Sequence, residues 1–434
     1  MSRLPEKFVE RMKKQLPETE WEAFFAVYEQ KPVKGIRVNT LKCSAEDFQK
    51  ITPFALEPIE WEENGFYVEE EKVGGYPYHF AGVFYSQEPS AMCAAPLLEV
   101  KKGERVLDLC SAPGGKGTQL AARLEGDGLI VLNEPILSRA KILSQNVERM
   151  GIRNAVVVSE MPDTLAKTFE GYFDKILVDA PCSGEGMFRK NADEALSEWS
   201  EENVALCAER QKNILNSAVK MLKEGGRLVY STCTFSKSED EEICEYLTNT
   251  LGLDCLKEEK LYPHKIKGEG HYAALFEKKT DEGVSGVREI KANASKSGEK
   301  EYREFEKKFF KKQFAFNLYE AGGILYELPK NCFDFRRLNV LRAGVRLGEL
   351  TGGRFEPSHS LAMCLKPEEC KRVVNLAVDS LETEKFLRGE TVEAEVENGW
   401  CLVCVDNFPI GFGKCVNGTV KNHIPKALRK RSGN

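Results

Sequence analysis

The 434-residue sequence predicts an α/β protein built on a doubly wound parallel sheet, with a small α+β unit before it and a region of short strands after it. Three observations carry this. Between residues 80 and 278, apolar runs of strand length alternate with longer segments of helical periodicity. A glycine-rich turn follows the first of those strands, and an acid ends the second. Such alternation implies right-handed crossovers and helices on both faces of the sheet.

Residues 1–79 read as an amphipathic helix, a strand and turn in "GIRVNTLK", and a helix starting at Ser44. The first 25 residues interleave charges with apolar positions and contain no h-region, so export is not expected. In 80–278, "RVLDLC", "LIVLNE", "NAVVVS", "KILVDA" and "RLVYSTC" read as strands. "GTQLAARL", "PILSRAKILSQNVERM" and "NVALCAERQKNILNSAVKML" read as the helices between them. Residues 279–308 begin as a polar linker, and 309–434 return to short strands, turns and a helix, in an α+β or barrel-like arrangement. The aromatics of "EFEKKFF" (304–310) form a helical face for packing.

Composition narrows the class. With 42% hydrophobic and 30% charged residues the chain is not disordered at large, and no apolar run approaches the roughly 20 residues of a membrane span. Fourteen cysteines without an export signal suggest free thiols in a reducing cytoplasm. The net charge of −6 does not advertise a nucleic-acid binder, yet no acid follows Asp406, while Lys414, Lys421, Lys426, Arg429, Lys430 and Arg431 do. That basic end suits a solubilising tail or a phosphate-facing surface.

The turn in "VLDLCSAPGGKGTQLA" fits neither common phosphate template. A P-loop needs glycine at 110 and serine or threonine at 117, where Cys110 and Gly117 stand, and GxGxxG is not met. Glu134, about 20 residues on at a strand tip, is placed to accept from a ribose diol. A nucleoside without phosphates is the reading, S-adenosylmethionine being the usual one; a tight turn with an acid near a helix start is the alternative. Cys182 follows Pro181 where the strand "KILVDA" ends, and Cys233 ends "RLVYSTC". All parallel strands of a doubly wound sheet end on one edge, so Cys110, Glu134, Asp179, Cys182 and Cys233 can converge. Two thiols and a carboxylate beside a methyl donor suit methylation of pyrimidine carbon 5: one thiol adds to carbon 6, and another group takes the carbon 5 proton so that the first can leave. Cys207, Cys244 and Cys255 read as packing, His271 as structural, and "CLVC" (401–404) as strand rather than half of a zinc site, so no metal is expected.

The motifs "CSAPGGK" (110–116), "DAPCSGEGMFRK" (179–190) and "STCTFS" (231–236), with "RVNTLK" (37–42), "YSQEPSAM" (85–92), "GRFEPSHSLAM" (353–363) and "KNHIPKALRK" (421–430), carry a resemblance. The sequence resembles the RNA 5-methylcytosine methyltransferases of the NOL1/NOP2/Sun family, in the bacterial small-subunit ribosomal RNA branch. The resemblance implies a Rossmann-like methyltransferase domain, an N-terminal RNA-binding extension and a C-terminal PUA-like module. By it, Cys233 is the nucleophile and Cys182 assists release. Cys110, Ser111, Ala112, Pro113, Gly114, Gly115, Lys116, Glu134 and Arg139 hold S-adenosylmethionine. Asp179 lies between cofactor and cytosine, and Lys116 points into the same site. At the third strand end, where many members carry an adenine-contacting acid, this chain has Met161, with Glu160 and Asp163 as the neighbouring candidates. The implied partner is RNA, 16S rRNA or the small ribosomal subunit, bound by a monomer away from any membrane, with the target cytosine unpaired or flipped. The rivals are a DNA cytosine-C5 methyltransferase, for which "ENV" at 202–204 more readily opens a helix than forms a strand-end site, and a catalytically silent RNA-binding assembly factor.

Overall fold

A computed structural model describes residues 4–279, 285–315 and 317–430. Arg431 of the basic end and residues 280–284 of the linker lie outside the described residues.

The N-terminal unit opens with helix Glu6–Gln15, whose buried Phe8 and Met12 lie one turn apart. Its sheet comprises β1 (Lys34–Val38), β2 (Glu57–Ile59), β3 (Glu62–Val68) and β4 (Phe84–Ser86), in the order β2-β3-β1-β4. Helix Ala45–Ile51 begins where expected because Ser44 accepts from the Asp47 N–H. Strand β4 pairs with β1, so this sheet runs past residue 79.

The central sheet contains β5 (Arg105–Asp108), β6 (Leu129–Asn133), β7 (Ala155–Val158), β8 (Phe173–Asp179), β9 (Leu222–Thr232), β10 (Asp254–Leu261) and β11 (His271–Glu277). Strands β9-β8-β5-β6-β7 are parallel, each rich in buried Val, Ile and Leu as helix-covered strands must be. The sheet is mixed rather than wholly parallel: β11 runs antiparallel to β9, and β10 antiparallel to β11. Strand β10, "DCLKEEKL", is a mostly exposed edge strand, and its charges hide it from an apolar-run reading. "ENV" does open a helix, Glu201–Met221, capped by Ser200 through the Asn203 N–H at 3.0 Å.

After the central sheet come β12 (Leu318–Ala321), β13 (Ile324–Glu327), β14 (Val340–Ala343), β15 (Val345–Thr351) and β16 (Arg354–Pro357). Strand β14 joins the central sheet antiparallel to β7, while the other four form a separate sheet. The linker ends in helix Lys296–Phe309, and Phe305, Phe309 and Phe310 are buried, so "EFEKKFF" does pack inward. The last sheet, β17 (Val373–Leu376), β18 (Val392–Glu393), β19 (Gly399–Val405), β20 (Phe408–Val416) and β21 (Thr419–Asn422), has the order β17-β19-β20-β21-β18. It folds back onto the N-terminal unit: Ile36, Phe48 and Phe66 share a core with Val374, Phe386, Cys401 and Val403. Tyr78 Oη donates to Asp406 across that contact at 2.8 Å. Cys404 faces a different core, with Phe309 and Phe412, so the two "CLVC" thiols point to opposite sides of β19.

Candidate active site

The glycine turn is the first part of the site. It joins β5 to helix Gly115–Arg123, and its tightness is dictated at Gly117. A Cβ there would stand 2.5 Å from Ser111 Oγ and 2.8 Å from Asp108 Oδ2, so no larger residue fits. Asp108 lies beneath the turn, 1% exposed, and both its oxygens lack hydrogen-bond partners among the described residues, as does Ser111 Oγ. Burial pushes the Asp108 carboxyl up to about 7. From the N-terminal unit, Arg37 reaches the start of the helix. It is fully buried, with Nη2 donating to Gly115 O at 3.0 Å and Thr118 Oγ1 at 2.8 Å, and Nε donating to Gln87 at 3.1 Å. "RVNTLK" and "YSQEPSAM" thus meet as the support of the turn.

Glu134 is buried at the end of β6. Its carboxylate accepts from the Ile136 N–H at 2.9 Å and pairs with Arg139 at 3.1 Å, and Arg139 also donates to Ala112 O at 3.0 Å. The acid is therefore tied to the turn, with carboxylate lone pairs still free for a diol. At the end of β7, Asn133 holds Glu160 in place through the Glu160 N–H at 3.0 Å and Glu160 O at 3.1 Å, while a Glu160 carboxylate oxygen accepts from the Asn339 N–H at 2.7 Å. Asp163 is not brought in: it is exposed on the next helix, 3.9 Å from Lys167 of that helix. Met161 is exposed as well.

The second part of the site is a pair of thiols. Cys182 Sγ and Cys233 Sγ are 3.3 Å apart, although 51 residues separate them in the chain. Their approach has a backbone cause. Gly186 N–H donates to Cys233 O at 2.8 Å, folding the loop after β8 onto the end of β9. Two buried carboxylates then lock the loop. Glu239 accepts from Ser183 N–H at 2.9 Å, Ser183 Oγ at 2.5 Å and Gln211 at 3.0 Å. Glu185 accepts from Trp199 Nε1 at 2.9 Å and the Phe235 N–H at 3.1 Å, and pairs with Arg11 of the first helix. The neighbouring Cys233 sulfur, followed by burial, pushes the Cys182 thiol well up, so at neutral pH this sulfur holds a proton.

Between the turn and the thiols lies Asp179. Its Oδ2 is 2.8 Å from Lys116 Nζ, and its Oδ1 accepts from Ser231 Oγ at 2.8 Å. Burial opposes both charges of this pair, yet their contact outweighs it: Lys116 is raised and the Asp179 carboxyl held below its ordinary value. The site so assembled has a glycine turn over an unpaired buried acid, a diol-facing carboxylate, a charged Lys–Asp pair and two touching thiols. Of the residues expected here, Cys110 to Lys116, Glu134, Arg139, Asp179, Cys182 and Cys233 come together on one sheet edge. Arg37, Asp108, Asn133, Glu185, Ser231 and Glu239 were not singled out. Glu239, in the acidic "SKSEDEE", carries no local signal of a buried clamp.

This fold and site define a Rossmann-like, S-adenosylmethionine-dependent methyltransferase, and the orphaned Asp108 and Ser111 under the turn fit a cationic nucleoside ligand above them. Four family descriptions match along the chain: "N-terminal domain of 16S rRNA methyltransferase RsmF" over 4–89, "16S rRNA methyltransferase RsmB/F" over 95–277, "RsmF rRNA methyltransferase first C-terminal domain" over 304–365 and "Methyltransferase RsmF PUA domain" over 373–430. Ribosomal RNA small subunit methyltransferase F of Vibrio cholerae serotype O1 (strain M66-2) is 34% identical over 98% of this chain and 97% of its own length; that of Shewanella sp. (strain MR-4) is 31% identical over 99% and 98%. Among solved structures, a methyltransferase homolog from Pyrococcus horikoshii shares 27% identity at a TM-score of 0.56, covering 61% of this chain and 92% of that one. NSun6 from the same organism, with SFG, shares the fold at a TM-score of 0.57 and 22% identity, covering 64% and 99%. The chain belongs to the ribosomal RNA small subunit methyltransferase F family, S-adenosylmethionine-dependent enzymes that methylate RNA. Among the described residues, no helix is long and apolar enough to cross a membrane.

Proposed function

We propose that this chain methylates carbon 5 of cytosine in 16S ribosomal RNA through a covalent adduct between Cys233 and carbon 6, resolved with the help of Cys182. One observation carries the reading: two thiols 3.3 Å apart stand beside a charged Lys116–Asp179 pair at the mouth of a methyl-donor fold. Cys233 adds as thiolate, forming the S–C6 bond and moving the C5=C6 π pair toward carbon 5. Asp179, set by Lys116 and Ser231, accepts from the exocyclic amino group and so holds the ring, while the Lys116 ammonium beside it offsets the negative charge that develops on addition. When bound, S-adenosylmethionine supplies an electrophilic methyl group. Cys182, having passed its own proton to solvent once the Cys233 sulfur is bound to carbon, takes the carbon 5 proton as thiolate, the C5=C6 bond re-forms, and the S–C6 electrons return to Cys233. The contact with the Cys233 sulfur is the foremost reason Cys182 holds its proton, and that influence is relieved once the sulfur is bound to carbon.

The cofactor contacts belong to the same proposal: the turn Cys110 to Lys116, Glu134 with Arg139, Glu160 and Asp179. The N-terminal unit over 1–79 and the module beyond the linker would lie on the RNA. Arg429 and Lys430 are already engaged, the first with Ile424 O at 3.0 Å and the second with Glu384 at 2.7 Å, and Lys414 Nζ lies 5.4 Å from the centroid of the Trp400 ring, which leaves Lys421 and Lys426 of the described basic end for phosphates. The enzyme would act as a cytoplasmic monomer.

Trapping on RNA carrying 5-fluorocytosine tests the roles. Cys233→Ala should form no adduct, while Cys182→Ala should form one and, on ordinary cytosine, fail to release it. The reverse pattern would exchange the two roles, and no adduct with the wild type would overturn the reaction. Mass mapping of 16S rRNA from a strain lacking the gene locates the target.

A further inference from the structure

His271 reads from the sequence as a structural residue at the head of a strand. The structure puts it in the active site. Across the β9–β11 ladder Tyr272 pairs with Thr232 and Ala273 with Ser231. Alternation then sets His271 beside Cys233, on the sheet face that carries Ser231 and Asp179. The ring is 2% exposed, and neither nitrogen has a hydrogen-bond partner among the described residues. Nε2 stands 3.8 Å from Asp179 Oδ1, beyond hydrogen-bonding reach. Burial, with Lys116 nearby, pushes the imidazole down to about 3, so it is neutral, with one donor and one acceptor. Buried polar atoms ordinarily find partners, and those left bare at a reaction centre mark a contact made only in the loaded state.

We propose that His271 is a positioning residue for the base: when a pyrimidine enters, its Nε2–H closes onto Asp179 Oδ1 and joins Ser231 and Lys116 in fixing that carboxylate against the ring. The proposal rests on the cytosine reading above. The movement needed is small, about 0.8 Å, to bring 3.8 Å to an ordinary N–H···O distance. The contact is made on Asp179 Oδ1, while Lys116 holds Oδ2 with or without the histidine, so Asp179 keeps its place toward the methyl donor and the loss should appear in turnover far more than in cofactor binding.

The test compares His271→Phe, which keeps ring volume and removes both nitrogens, with His271→Gln, which returns a donor near the Nε2 position. His271→Phe should lower kcat by about 10- to 100-fold while leaving the calorimetric Kd for S-adenosylmethionine within about twofold. His271→Gln should recover to within about fivefold of the wild type. Equal kcat for His271→Phe and wild type, equal losses for both variants, or a cofactor Kd that rises in proportion as kcat falls would each overturn the assignment. Nitrogen-15 histidine spectra of the wild type keep the test independent of how the variants fold. A slowly exchanging Nε2–H should appear on adduct formation with 5-fluorocytosine RNA, and its absence overturns the proposal. An adduct in the wild type with His271→Phe at full rate removes the histidine's role alone. No adduct in the wild type removes both readings.

Discussion

Gly186 sets the spacing of the two thiols, and Gly186→Ala is the sharpest way to change it. An alanine Cβ there would sit 2.9 Å from Cys233 O and 3.2 Å from both Glu269 O and Gly270 O. All three are backbone atoms, the first just past the end of β9 and the other two on the approach to β11, so the loop must retreat. Ordinary contact lies near 3.5 Å, which calls for a shift of about 0.6 Å. That shift strains the 2.8 Å Gly186 N–H to Cys233 O bond, worth about 1 kcal/mol, and would carry the sulfur atoms from 3.3 Å to about 4 Å apart. A misplacement approaching 1 Å between reacting groups costs on the order of 100-fold in rate, about 2.7 kcal/mol of barrier. Single-turnover transfer of labelled methyl into RNA should show this loss, with S-adenosylmethionine affinity unchanged within about twofold, because Gly186 lies outside the 110–117 turn. Full-rate turnover by Gly186→Ala would refute the reasoning, since the loop's closeness to Cys233 would then not govern the chemistry.

Other consequences are equally open to measurement. Arg37→Ala removes the buried guanidinium that holds Gly115 O, Thr118 and Gln87; it should cost about 3 kcal/mol in urea unfolding and weaken cofactor binding through a loosened turn. Glu239→Gln presents an amide NH2 to donors at Ser183 and Gln211 and should destabilise by roughly 1–3 kcal/mol, with slower adduct resolution as the Cys182 loop loosens. Asp108 gives a pH signature. Its carboxyl, pushed up from 3.8 to about 7 by burial, keeps its proton in the folded state after the unfolded chain has lost it. Between about pH 4 and 7 the folded state therefore binds more protons, and stability falls as pH rises, by up to about 4 kcal/mol from this group. Asp108→Asn should abolish that contribution, so the variant's gain over wild type should be near zero at pH 4 and largest above pH 7; a constant difference across the range would count against it.

Much of the site was legible because its chemistry is local. "CSAPGGK" is a turn whose glycines admit a close ligand, and each thiol and acid sits where an apolar run stops. Once the strands are parallel, their ends share an edge and the convergence of Cys182, Cys233, Asp179 and Glu134 follows from topology alone. Asp163 shows the limit of counting. It stands two residues from the expected position, but Pro162 at the first turn starts a new helix and turns the carboxylate to solvent and Lys167.

The amino-acid order by itself determined the parallel core, the glycine turn and the two strand-end thiols, because periodicity and turn chemistry act over a few residues. Only the tertiary structure decided what surrounds them: that β10, β11 and β14 run antiparallel, that the last sheet shares a core with the first, that Arg11 and Arg37 reach across from the N-terminal unit, and that His271 faces Asp179. The β9, β10 and β11 pairings apart, those contacts join residues between about 80 and 370 positions apart. Their partners are fixed by burial and shape complementarity, which leave no periodic trace in the chain.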